Sequence, residues 1–268
     1  MSKVIICKHK NIKERTIKSL TLLKPKLPAN GSTILIKPNL VEPMPKESGA
    51  ITRPEIVEGI IEFFSTQGNY KFIIGESSSG YNTKTCFDIA GYTKTFKKKN
   101  IKLINFDDGG YILTNINNKL WNRVYVTNYL FNVDYIISVA VLKEHSLVGV
   151  TLSIKNMMGT LKSIGKFPNK QYTHKEKIKK QEKLNSRLCD LLSIRKPNLG
   201  VIDGTTGMYG SHINGKLKQM DLTCVGEDIV FLDKVCASIL GHKSIYHIQL
   251  AGERGLGSLK GEVINYEF

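Results

Sequence analysis

The sequence predicts an α/β fold, a mostly parallel sheet flanked by helices, and three observations carry that expectation. Runs rich in Ile and Val recur along the chain. Several of them end in Gly, Ser, Asn or Asp just before a helical pattern begins, the order that a parallel sheet with helical crossovers requires. At 268 residues, 41% of them hydrophobic, the chain can bury a sizeable core. No internal repeat or low-complexity linker divides it, so a single domain over 1–268 is expected.

The elements follow in chain order. KVIICK is the first strand and STILIKPNL the second. In RPEIVEGIIEFFSTQG, apolar residues fall at 56, 57, 60, 61 and 64, and Pro54 suits a first helical turn, so a helix is predicted over about 53–66, ending at Gly68. KFIIGESSSG is a strand running into a polar turn, TKTCFDIAGYTKTFKKK a helix, and IKLINFDDGG another strand. Residues 108–132, with NINNK and two aromatic-rich runs, read as a β-hairpin excursion. DYIISVAVLK is the strongest strand. Residues 175–196 form a charged helix whose apolar face, Ile178, Leu184, Leu188, Leu191 and Leu192, gathers toward its second half. LGVIDGTTG is a strand with a glycine-rich exit, and EDIVFLDKVCASILG an amphipathic helix closed by Gly241.

Composition removes several function classes. No apolar run approaches the roughly 20 residues of a membrane span, and MSKVIICKHKNIKER lacks the order of a secretory signal, so a cytoplasmic location without membrane contact is expected. The five cysteines, Cys7, Cys86, Cys189, Cys224 and Cys236, include no CxxC pair, so the chain has no intrinsic iron–sulfur or zinc motif. Formal charge is +16, which attracts phosphates, nucleic acid or an acidic protein. Only FKKKN at 96–100 and KEKIKKQEK at 175–183 cluster that charge, and neither interleaves stacking aromatics, which argues against nucleic acid. GxxxxGK[ST], GxGxxG and a nucleophile elbow are all missing, so a P-loop, a dinucleotide site and covalent hydrolysis are not supported.

The polar residues gather at strand exits: Lys37-Pro38-Asn39 after TILI, Glu76-Ser77-Ser78-Ser79-Gly80 after KFII, Lys143-Glu144-His145-Ser146 after DYIISVAVL, and Asp203-Gly204-Thr205-Thr206-Gly207 after LGVI. In an open α/β sheet such exits share the carboxyl edge, where ligands bind. Any one of these turns is ordinary turn and cap chemistry; their coincidence is what suggests a site. In LKEHSLVGVTLSIKNMMG, a strand over 148–155 would present Thr151, Ser153 and Lys155 on one face, while a helix would group Val150, Ile154, Met157 and Met158, and periodicity leaves both open. Either way the stretch is rich in donors suited to an anionic ligand.

One wall of that site would be Lys143, His145, Ser146, Thr151, Ser153, Lys155 and Asn156, with Lys37, Asn39, Glu76, Ser77 and Asp203 from neighbouring strand ends. His145 is the acid–base candidate, with Asp203 or Glu76 to orient or deprotonate. If a metal binds, His145 and His174 with a carboxylate are its ligands. The expected partner is a small anion or an unidentified cofactor; the competing class is a non-catalytic module docking an acidic partner such as a ferredoxin.

KPNLV, ITRPEIVEGIIEFF, GESSSGYNTKTCFDIAGY, LKEHSLVGVTLSIKNMMG, VIDGTTGMYG and LAGERGLG together resemble, in this order, the motifs of the domain of unknown function 362 family. The resemblance spans roughly 32–258, and its most diagnostic piece is KEHSLVGVTLSIKNMMG. It implies a redox or cofactor-related setting, since many members carry a ferredoxin-like module, but no agreed reaction; this chain looks like the core domain alone. A more distant similarity to nickel-pincer lactate racemases, which hold a phosphorylated cofactor, is an analogy of fold and carries no chemistry. The chain also departs from the family pattern, with Met208-Tyr209-Gly210 in place of an acidic turn and Val225-Gly226-Glu227-Asp228 before the last helix, where Glu227 or Asp228 could substitute.

Overall fold

The computed structural model describes residues 1–78, 80–116, 123–162 and 180–268, with the backbone alone at 180–182. β1 (Ser2–Lys8) leads into α1 (Ile12–Leu23), whose first turn is capped by Asn11 accepting from the Glu14 amide at 3.2 Å. β2 (Thr33–Lys37), α2 (Pro54–Gln67) and β3 (Lys71–Glu76) form the first crossover unit, and α2 starts at Pro54 as its pyrrolidine geometry favours. α3 (Thr83–Ile89) and α4 (Tyr92–Thr95) precede β4 (Ile101–Asn105). The single helix expected over this stretch is broken at Gly91, which takes a φ of +86° that a helix interior does not accommodate.

β5 (Tyr111–Asn115) and β6 (Arg123–Thr127) pair antiparallel as the expected hairpin, apart from the main sheet. β7 (Tyr135–His145) follows, then β8 (Gly149–Thr151) and a single turn, α5 (Ser153–Asn156). The ambiguous stretch is therefore strand up to Thr151 and helix from Ser153. The change of conformation is anchored from far away: both carboxylate oxygens of Asp233 accept the orphan amides of Ser153 and Ile154, at 2.9 and 2.8 Å. α6 (Lys180–Ile194), β9 (Leu199–Tyr209), β10 (Lys216–Gly226), α7 (Ile229–Ile239), α8 (Tyr246–Glu253) and β11 (Gly261–Glu267) complete the chain. Of the charged helix expected over 175–196, residues 175–179 lie outside the described residues.

The main sheet has nine strands in the order β11-β1-β10-β9-β7-β2-β3-β4, with β8 added to the end of β7. Its centre is a parallel block, β4-β3-β2-β7-β9. β10 is antiparallel to both β9 and β1, and β11 runs parallel to β1. Side chains alternate across the pleat, so the sheet has two cores. On one face Ile34, Ile36, Ile137, Val139 and Val201 meet α1 to α4; on the other Leu35, Ile136, Ala140, Leu142 and Ile202 meet α5 to α8 and the hairpin. β7 is buried at every position but Glu144, which explains its nearly continuous apolar sequence.

From β2 the chain winds outward through β3 to β4, and from β7 it winds the other way to β9. The carboxyl ends of β2 and β7 therefore flank the point where strand order reverses, the position at which open α/β sheets generally carry a ligand crevice.

Candidate functional site

Lys37 closes β2 and Glu76 closes β3; both side chains are buried, with Nζ 2.7 Å from Oε2. Lys37 Nζ also donates to the Pro38 carbonyl at 3.0 Å and to Asn156 Oδ1 at 3.2 Å, so its three protons are all used. Glu76 accepts in addition from the Ser77 and Leu40 amides at 2.8 and 3.3 Å. Burial lowers the Lys37 pKa and the Glu76 charge raises it again. Asn156 ties the strands across the crevice: its Nδ2 donates to the Lys37 carbonyl at 3.0 Å and to Ser138 Oγ on β7 at 3.1 Å, while its Oδ1 accepts from Asn39 Nδ2 at 3.1 Å. Gly159 roofs this pair, and a Cβ there would collide with Glu76 Oε1 and the Lys37 ammonium.

Lys143 is equally buried but has no carboxylate on it. Its Nζ donates to Asn39 Oδ1 at 2.9 Å and to the Ala50 carbonyl at 2.5 Å. Burial first, and the Lys155 charge second, push its pKa down to about 7. Burial alone brings Lys155 down to about 8. Among the described residues Lys155 has no hydrogen-bond or ion-pair partner. Thr151 stands opposite Lys143 in the β7–β8 register, and its buried Oγ1 is also unpaired. Two neighbouring ammonium groups and a spare hydroxyl thus stand together; Glu42 and Glu76 act on Lys143 from farther off, and among the described residues no carboxylate is hydrogen-bonded to either lysine.

The chain's sequence decides which group of proteins shares these residues. Residues 34–238 match the family described as Domain of unknown function (DUF362). The chain belongs to the DUF362 family. A thylakoid-associated protein of Synechocystis is 25% identical over 211 residues, which cover 78% of this DUF362 chain and 63% of the relative, so the chain spans less than two thirds of that protein's length. Two solved structures share 10% identity: a Thermotoga maritima protein at a TM-score of 0.44, covering 92% of this chain and 60% of its own, and the lactate racemase apoprotein of Thermoanaerobacterium thermosaccharolyticum at 0.49, covering 88% and 56%.

The DUF362 signature KEHSLVGVTLSIKNMMG thus divides by role. Lys143, Asn156 and Gly159 build or cover the network around Lys37, Asn39 and Glu76, and Thr151 and Lys155 stand beside it unpaired. Ser153 starts α5 and contributes its amide to Asp233 and its carbonyl to Ser138 Oγ, 3.2 Å away. The Ser77 hydroxyl donates to Asp107 Oδ2 at 2.9 Å. Ser146 is exposed on the turn between β7 and β8. His145 is buried, accepts the Leu147 amide on Nδ1 at 3.1 Å and stacks on His212 with centroids 4.3 Å apart. His174 lies outside the described residues, and among those described no group of three His, Cys, Asp or Glu is placed to hold a metal ion.

Asp203 belongs to a neighbouring cluster. Its Oδ2 accepts from the Arg53 amide at 3.1 Å and faces Arg53 Nη1 at 3.4 Å, and its Oδ1 accepts from the Thr205 amide and hydroxyl at 3.0 and 2.6 Å. The fully buried Arg15 donates to Thr205 Oγ1 in turn. As a base, Asp203 would first have to give up these partners. Glu227 and Asp228 sit at the amino edge of the sheet, the first accepting the Lys26 amide at 2.8 Å and the second capping α7 through the Val230 and Phe231 amides at 3.1 and 3.2 Å.

Sequence reasoning missed Arg15, Arg53, Asp233 and His247. Two of them left a trace: Arg15 and Asp233 occupy apolar-stripe positions of amphipathic helices, Arg15 with Leu20 and Leu23, Asp233 with Ile229, Leu232 and Cys236. A charged group in such a stripe is buried with a partner or it is not tolerated.

Proposed function

We propose that this DUF362 chain binds a small anionic ligand, a phosphate or carboxylate group, in the crevice at the carboxyl ends of β2 and β7, as a cytoplasmic component of redox or cofactor-related metabolism. The observation that carries this reading is the buried Lys143 ammonium, hydrogen-bonded to neutral acceptors, with the half-buried Lys155 close enough for its charge to act on it. Burying one ammonium group beside a second like charge is costly, and an anion placed on them reduces the penalty. Their lowered pKa values support the same reading, since Lys143 near 7 can also exchange a proton at neutral pH. Lys37, Asn39, Glu76 and Asn156 then hold Lys143 in place rather than meeting the ligand.

The test is calorimetric titration with inorganic phosphate and with a small carboxylate, alongside melting curves at pH 6.5. Binding of one equivalent by the native chain, lost in Lys155→Met, supports the reading; no binding of either anion and no rise in melting temperature removes it. A second reading, docking of an acidic protein such as a ferredoxin, rests on the formal charge of +16. It predicts salt-sensitive association with a ferredoxin that Lys155→Met leaves unchanged.

A further inference from the structure

His247 lies on α8 and is fully buried. Its Nδ1 is 3.0 Å from Asn185 Oδ1 on α6. An amide oxygen only accepts, so Nδ1 carries the proton and Nε2 is left as a bare lone pair. That Nε2 is buried and, among the described residues, meets no donor. Burial, and next the Lys155 charge, push the imidazole down to about 3, so it stays neutral and keeps its lone pair at physiological pH. A buried acceptor without a donor is costly enough to call for an explanation, and a ligand that donates to it is one.

The ring belongs to the same neighbourhood as the two lysines. α6 packs against both α5 and α8, and Ile154, Met157, Leu184, Leu188 and Ile248 share one apolar cluster beneath them. Lys155, on α5, is close enough for its charge to act on both Lys143 and His247. The unpaired groups of this region are therefore of two kinds. Lys155 offers protons, the hydroxyl of Thr151 can give or take one, and His247 can only receive.

Resting on the anion reading above, we infer that His247 is a specificity-determining acceptor and that the ligand group placed between it and the lysines is a phosphoryl group still carrying a P–O–H. The anionic oxygens lie on the ammonium groups, and the remaining hydroxyl donates to His247 Nε2. A sulfate or an ionised carboxylate has no proton to give at neutral pH and would set its own lone pairs against Nε2. One buried acceptor thereby separates phosphate from anions of similar size and charge.

Titration calorimetry at neutral pH with inorganic phosphate and with sulfate tests this. Native protein is expected to bind phosphate at least about tenfold more tightly than sulfate, the effect of leaving one buried acceptor unmet. His247→Phe should bring phosphate down to the sulfate level without weakening sulfate, and His247→Gln, which restores a carbonyl acceptor, should recover part of the preference. If the Phe variant does not fold, the native ratio and the Gln variant decide. Equal affinity of the native protein for the two anions, or a preference that persists in His247→Phe, overturns the inference while leaving the anion site standing. Binding of neither anion overturns the anion site itself.

Discussion

Lys37 and Lys143 close neighbouring parallel strands and are buried to the same degree, yet their surroundings differ in one respect. Lys37 faces Glu76 and has a partner for each of its protons; Lys143 has two neutral acceptors and, beyond it, a second ammonium group. The first arrangement is electrically closed and the second is open. The contrast separates two uses of the same residue type in one crevice: a lysine that fixes the geometry of strand ends and a lysine held ready for something negative.

Breaking the closed half should have the largest effect. Lys37→Met leaves the Glu76 carboxylate buried without its cation and is expected to lower the unfolding free energy by about 3–5 kcal/mol in urea titrations. The double variant Lys37→Met/Glu76→Leu should recover most of that loss, because no charge is then stranded. Gly159→Ala follows, at roughly 1–3 kcal/mol, since its methyl group has to displace the ion pair it would strike. In the open half the sign reverses: Lys155→Met is expected to leave the ligand-free protein unchanged or more stable by about 1 kcal/mol, read as a higher midpoint at constant slope. Loss of stability on the scale of Lys37→Met would mean that Lys155 has a structural partner and would erase the contrast.

The smallest effect is in the pH profile. Lys143 and Lys155 titrate near 7 and 8 in the folded protein and near 10.5 unfolded, so between those values the unfolded chain holds more protons and stability rises with pH. Below pH 7 two groups oppose each other. Asp233, raised to about 7 by burial, makes stability fall as pH rises from 3.8 to 7, and His247, lowered to about 3, makes it rise between 3 and 6.5. The ligand-free protein should therefore show a shallow profile up to about pH 7 and a climb above it. A bound anion keeps both lysines protonated, so its stabilising effect should be greatest below pH 7 and should fade by about pH 9, as melting temperatures with and without phosphate would show.

Much of this was legible in the sequence, and the parts that were not have physical reasons. The parallel core, the α2 helix and the hairpin follow from apolar periodicity and from Pro54. So does the gathering of Lys37, Asn39, Glu76, Lys143 and Asn156, because strand exits in a parallel sheet share an edge. Which of them would be satisfied by one another was not legible, since pairing between Lys37 and Asn156 spans 119 positions. The conformation of 148–155 was undecided for the same reason: what favours helix from Ser153 onward is a carboxylate 80 residues later. β10 escaped because LKQMDL lacks the apolar alternation of a half-buried strand; its first half is mostly exposed.

Strand order also sets a timetable for synthesis. Among the described residues β1 pairs with β10 and β11 alone, at registers such as Val4 with Gly226 and Ser2 with Gly261. β1 is thus parted from both partners by more than 200 residues, and its apolar run from Val4 to Cys7 stays without them while those residues are made. Closing so long a loop late in folding is slow and leaves a sticky segment uncovered meanwhile, so the dependence of yield on chaperones and on translation rate should trace to residues 2–8 more than to the crevice that the rest of the sheet assembles.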